Sequence, residues 1–166
     1  DEQIQLMKDL QRAVDVLRAM PNVAPDRIAY HGVSYGGAMG ALFAGIEKRI
    51  KTAVLVVGNG GLVTRQTSPN DISFMATLSC ANRNAWYREM IAVEPIRFIG
   101  LAKGIPLLLQ NGTADQFIPT PDAQLLHNTA PEPKKTLFYN ANHNLNQQAL
   151  FDAHDWLTEQ IGLDKR

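Results

Sequence analysis

Arg27-Ile28-Ala29-Tyr30-His31-Gly32-Val33-Ser34-Tyr35-Gly36-Gly37 is the stretch that decides the fold. Its first seven residues, Arg27 to Val33, are short and mostly apolar, which suits a strand buried in a parallel sheet. Glycine and alanine then dominate Gly36 to Gly45. These glycines are poor helix formers, but small residues let a helix lie close against a sheet. Between strand and helix stands Gly32-Val33-Ser34-Tyr35-Gly36, a G-x-S-x-G pattern in the strand–turn–helix setting that gives it meaning. So tight a turn brings its flanking positions together, and glycine is expected at 32 and 36 for that reason. Ser34 is left exposed at the sheet edge and at a helix N-terminus, where partial positive charge favours a developing oxyanion. The backbone N–H of Tyr35 is the expected donor to it. Alone, the pattern fits an incidental serine in a glycine-rich turn equally well.

Outward from this stretch the chain alternates. Ile4, Met7, Leu10, Val14 and Leu17 recur at helical spacing, giving one amphipathic helix up to about Met20. Pro21, Asn22 and Pro25 end it. Three further strands are expected at Thr52 to Val57, Ile105 to Gln110 and Lys135 to Tyr139. Helices are expected at Asp122 to Asn128 and from Ala149 to Ile161. Residues 62 to 100 carry no strand period, with short helical patterns around Ser73 to Leu78 and Asn84 to Val93. Strands alternating with helices imply an α/β fold, a mostly parallel sheet flanked by helices on both faces. Right-handed crossovers put every strand's C-terminal end on one edge, where ligands bind in such sheets. Residues 1–166 read as one domain, with a small cap insertion at about 62–100.

Two more residues belong to that edge. Asp115 follows the strand Ile105 to Gln110 through Asn111-Gly112-Thr113-Ala114. A carboxylate there can orient an imidazole and stabilise it when charged. Asp also favours surface turns for backbone reasons. Its rival, Asp122, sits in a first helical turn behind Pro121, where an acid serves the helix dipole. His143 comes after the next strand and before the last helix. Of the other histidines, His31 lies inside a strand and reads as a packed core residue, while His127 and His154 read as ordinary helix residues. The order serine, aspartate, histidine, each at a strand end, points to a nucleophile, an acid and a base.

The chain resembles the α/β-hydrolase superfamily, and within it the dienelactone-hydrolase-like and prolyl-oligopeptidase-like enzymes. Pro25-Asp26-Arg27-Ile28 leading into Gly32-Val33-Ser34-Tyr35-Gly36-Gly37 is similar to that branch's approach to the nucleophile elbow. Ile105 through Asp115 is similar to its acid loop. The resemblance implies a serine hydrolase acting through an acyl-enzyme, with Ser34, Asp115 and His143 as the triad and no metal or organic cofactor. Carboxylic esters are the expected substrates. A peptidase of the same fold and a non-catalytic remnant without a complete oxyanion hole are the alternatives. Organophosphonate labelling separates the remnant from the other two, because it needs an activated serine.

Enzymes of this family have several strands before the elbow, and one of them brings the other oxyanion donor. Here one helix precedes it, and no HGGG-like run occurs. The sequence is therefore expected to be the C-terminal half of the family domain, its N-terminal strands absent. The strand Arg27 to Val33 would then be an apolar, unprotected edge. Another chain or a second copy is expected to cover it. In the cap, Phe74, Met75, Trp86, Tyr87 and Met90 could line an apolar acyl pocket, or simply pack the cap onto the sheet.

Composition narrows the remaining classes. Apolar residues make up 45% of the chain, enough for a packed core. The 16 basic and 16 acidic residues balance, so no electrostatic footprint for nucleic acid or an anionic surface is expected. Cys80 is the only cysteine, which excludes an internal disulfide and a cysteine-rich zinc site. No apolar stretch approaches a membrane span. The sequence opens on Asp1 with no signal-peptide pattern, and localisation is left unassigned.

Overall fold

The computed structural model describes residues 2–61, 63 and 76–164. Ten elements follow in order: α1 (Glu2–Ala19), β1 (Ala29–Val33), α2 (Tyr35–Ile46), β2 (Thr52–Val56), α3 (Cys80–Ile91), α4 (Pro95–Ile99), β3 (Leu107–Gly112), α5 (Thr120–Thr129), β4 (Lys134–Tyr139) and α6 (Gln147–Ile161). The four strands form one sheet in the order β1-β2-β3-β4, and every pairing is parallel. With helices on both sides, this is the expected α/β architecture.

Strand boundaries moved where a proline or a turn decides them. β3 begins at Leu107, not Ile105, because Pro106 has no N–H to offer a ladder; its carbonyl instead accepts from Ala53 N at 3.1 Å and Thr52 Oγ1 at 2.7 Å. β3 then runs on to Gly112, paired with Tyr139 of β4. β2 stops at Val56 because Val57 has φ 44°, a left-handed turn out of the sheet.

The two faces are unequally packed. One carries the main core, where Met39 and Phe43 of α2 meet Leu55, Leu107 and Leu109 of the sheet and Leu126 of α5. Met7 and Val14 of α1 complete it. On the other face α6 packs alone, with Ala153, Trp156 and Leu157 over Val54, Leu108 and Leu137. Trp156 Nε1 donates to Thr52 Oγ1 at 2.8 Å, and the Arg27 guanidinium donates to the carbonyls of Ile161 and Gly162 at the end of α6. α6 does not reach across to β1, so Val33 is 52% exposed. His31 is exposed beside it, against the expectation of a packed core histidine, because β1 is an edge strand of the described sheet.

Of the segment expected to form a cap, residues 62 and 64–75 lie outside the described residues, and Phe74 and Met75 with them. Trp86, Tyr87 and Met90 lie on α3, which buries none of its residues. The rings of Trp86 and Tyr87 meet edge-on at 5.4 Å. α4, which the sequence did not signal, packs against α2, with Ile99 fully buried in the main core. Among the described residues no helix is long and apolar enough to cross a membrane.

Candidate active site

Ser34 caps the start of α2 in a conformation that side chains rarely adopt, φ 56° and ψ −115°. Such strain costs on the order of 1–3 kcal/mol and persists only where surrounding contacts impose it. Here Ser34 N donates to Val56 O at 2.9 Å, which fastens the turn to β2, and Ser34 O accepts from Ala38 N at 3.0 Å. A Cβ on Gly32 would stand 2.3 Å from Gly36 O, so glycine is obligatory there. Gly36 is different from expectation: a Cβ there would meet only Tyr30 Oη, at 3.8 Å. The second steric requirement falls on Gly37, whose Cβ would lie 2.6 Å from Val56 O. What the helix needs is close approach to β2, not room inside the turn. Tyr30 steadies the elbow from below, donating its hydroxyl to Gly36 O at 2.7 Å.

Asp115 and His143 arrive from the neighbouring strand ends and meet at Ser34. Asp115 Oδ2 lies 2.7 Å from His143 Nδ1, and His143 Nε2 lies 2.9 Å from Ser34 Oγ. The Asp115 carboxylate only accepts, so Nδ1 carries the proton and Nε2 is left to accept from the serine hydroxyl. The Asp115 side chain is fully buried and that of His143 is 22% exposed. The other carboxylate oxygen, Oδ1, accepts from Phe117 N at 2.8 Å and Ile118 N at 3.0 Å. These bonds aim the free lone pairs of Oδ2 at the imidazole. The histidine loop is tied to the aspartate loop through its backbone, with Ala114 N donating to Ala141 O at 3.0 Å and Thr113 N to Tyr139 O at 2.8 Å.

The three expected residues are thus brought together, with Tyr35 N at the first position of α2, where helical N–H groups have no intrahelical acceptor. A pocket of about 230 Å³ reaches Ser34 and His143. Its walls are His31 and Val33 of β1, Val56, Gln110, Leu145 and Leu150; Trp86, Tyr87 and Met90 do not border it. Asp122 sits in the first turn of α5, as expected. His127, however, is no ordinary helix residue. It is buried, with Nε2 2.9 Å from Asn111 Oδ1, and Asn111 Nδ2 donates to Gly58 O at 3.0 Å. Burial first, and the Lys134 ammonium second, hold its imidazole down to about 4. Two neighbours of the site were missed. Phe117 meets the His143 ring edge-on at 5.1 Å, and an exposed aromatic two residues past the acid was the available signal. Gln110, a polar residue directly after the apolar run Leu107-Leu108-Leu109, was the other. Among the described residues no group of three or more His, Cys, Asp or Glu side chains could hold a metal ion.

The model of the prolyl oligopeptidase family matches residues 3–161. The uncharacterized protein YfhR of Escherichia coli O157:H7 is 28% identical over 160 residues, covering 94% of this chain and 51% of that protein. The chain thus spans about half the length of this curated relative. Among solved structures, an acetyl xylan esterase from Paenibacillus sp. R4 superposes with a TM-score of 0.81 at 20% identity, covering 94% of this chain and 52% of the other. Dipeptidyl peptidase 4 of Porphyromonas gingivalis superposes with a TM-score of 0.74 at 17% identity, covering 93% and 22%. At these identities the two structures show the α/β-hydrolase fold.

Proposed function

The chain belongs to the prolyl oligopeptidase family, and we propose that it is a serine hydrolase that cleaves carboxylic esters through an acyl-enzyme on Ser34. The observation that carries the reading is the unbroken hydrogen-bonded line from Asp115 through His143 to Ser34. His143 Nε2 takes the hydroxyl proton as Ser34 Oγ attacks the ester carbonyl carbon. Asp115 holds the tautomer and offsets the imidazolium charge. The carbonyl oxygen becomes an oxyanion facing Tyr35 N, and one such donor is worth about 10²–10³ in rate. His143 returns the proton to the departing alkoxide. Water then repeats the sequence on the acyl-enzyme, releasing the acid and restoring Ser34.

Esters come before amides on chemical grounds, since an alkoxide leaves with less assistance than an amine. The peptidase reading is supported by the family's own name, and an ester and an amide of one acyl group separate the two. In the intact protein, wild type hydrolyses a p-nitrophenyl ester and Ser34→Ala does not, with unchanged folding. Equal turnover by the variant would remove Ser34 from the mechanism.

The reading extends to the outer edge of β1. Its remaining ladder groups face away from β2, and Ala29, Tyr30 and Val33, with Ile28 before them, offer no charge or proline to protect them. We infer that a further strand pairs along this edge and brings the second oxyanion donor. Hydrogen exchange tests it: β1 amides are protected in the intact protein, and rapid exchange there would contradict the cover.

A further inference from the structure

Gln110 follows the apolar run Leu107-Leu108-Leu109 within β3, at a position that is 1% exposed. A buried amide of this kind is costly unless its hydrogen bonds are made. Both of its N–H groups are used. Nε2 donates to Tyr139 Oη at 2.7 Å and to Ala149 O at 2.8 Å. Tyr139 Oη donates to Asp152 Oδ2 at 2.8 Å, and burial together with that carboxylate pushes the phenol well above its usual range.

The places these bonds reach give them meaning. Tyr139 is the last residue of β4, and Ala149 lies in the first turn of α6. Between them runs the loop that carries His143. Gln110 itself stands on the strand that leads into Asp115, and it lines the pocket reaching Ser34 and His143. One amide therefore spans both ends of the histidine loop from the aspartate's own strand. The backbone bonds from Thr113 and Ala114 hold the loop on the aspartate side only; nothing in them fixes the start of α6.

We propose that Gln110 is a positioning residue, which sets the His143 loop at the height where Nε2 meets Ser34 Oγ. This rests on the reading of Ser34, Asp115 and His143 above. The hydrogen bonds of Gln110 run to Tyr139 and Ala149 and not to Ser34, Asp115 or His143. Its effect comes through geometry, and a displacement of about 1 Å in a catalytic group costs about 10²-fold in rate.

The test compares wild type with Gln110→Met, which keeps length and loses both donors, in the intact protein. Turnover of a p-nitrophenyl ester is expressed per site titrated with a fluorophosphonate. The downfield proton resonance of the His143 Nδ1–H is recorded alongside. The expected result is a kcat about 10–100-fold lower with KM within about twofold, and a resonance that is shifted or lost. Tyr139→Phe, which keeps the bond to Ala149, loses about 3–10-fold in kcat and decides the matter if Gln110→Met does not fold. Wild-type kcat with an unmoved resonance overturns the proposal, whatever happens to Tm; so does a rise in KM alone. If wild type itself shows no turnover, the ester reading fails, while the resonance still decides Gln110.

Discussion

At Ser34 the backbone is bent to φ 56° and pinned between Gly32, which tolerates no Cβ, and β2. At His143, one hydrogen bond away, and Asp115, one further, neither residue has a positive φ, although Leu145 in the histidine loop does (φ 55°), and position is set by polar contacts: two backbone N–H groups on Asp115, and backbone bonds between the aspartate and histidine loops. Ser34 is placed by steric exclusion, Asp115 and His143 by hydrogen bonding. The two halves of the site should therefore fail in different ways. Damage to the first is a matter of volume, damage to the second a matter of a single donor or acceptor.

The largest effects sharpen the contrast at the reacting atoms. Asp115→Asn keeps volume and removes an acceptor, and it should lower ester turnover by about 10³–10⁴-fold with Tm nearly unchanged. Steady-state kinetics on the folded variant checks it. Asp122→Asn is the matched control, and it should leave turnover within about twofold. If Asp122 is the crippling position instead, the acid is misassigned.

Gly32→Ala adds a single methyl and no polar change. Its Cβ must displace Gly36 O or the Tyr30 ring, which stands 2.7 Å away. Stability should fall by about 1–3 kcal/mol, and activity should fall with it as the elbow opens. Gly36→Ala, one turn on, has room and should cost well under 1 kcal/mol. Thermal denaturation of the pair reads the difference, and equal losses would break the steric account of the elbow.

The elbow was legible in the sequence because sterics restrict which residues can occupy it. Gly32, Ser34 and the strand before them announce themselves within a few positions. Asp115 and His143 were legible only by order and by position after a strand, since an aspartate in a turn and a histidine in a loop have no local signature. Gly37 was not separable from Gly36 in a run of small residues, because the obstacle, Val56 O, lies on another strand. β3 was placed two residues early because the apolar run starts before its ladder does. Apolar neighbours in a strand imply burial for His31, whereas β1 stands at an edge of the described sheet and His31 alternates with Tyr30 onto the face opposite α2. The burial of His127 depends on Asn111, 16 residues away, and no periodicity reports such a pairing.

A smaller effect comes from His127, which is bonded to Asn111, itself bonded to Gly58. Asn111 Nδ2 donates to Gly58, so Asn111 Oδ1 must accept, and His127 Nε2 carries the proton while buried Nδ1 has no partner. The imidazole is near 6.5 when unfolded and about 4 when folded. Between those values the unfolded chain binds the extra proton, so this contribution is full above about pH 6.5 and is lost as pH falls through about 4. It amounts to at most about 3 kcal/mol. Denaturation midpoints of wild type and His127→Gln between pH 7 and pH 4 should converge as the pH falls. Parallel curves would show that His127 is not held neutral by burial.

The central claim is that Ser34 is an activated nucleophile, and it is tested most directly by reaction of the intact protein with a fluorophosphonate, followed by mass spectrometry of the labelled peptide. The account predicts one phosphonyl group per chain on Ser34, with labelling slowed by several orders of magnitude in His143→Ala. An unlabelled wild type, a label on another residue, or a wild-type labelling rate in His143→Ala would contradict it.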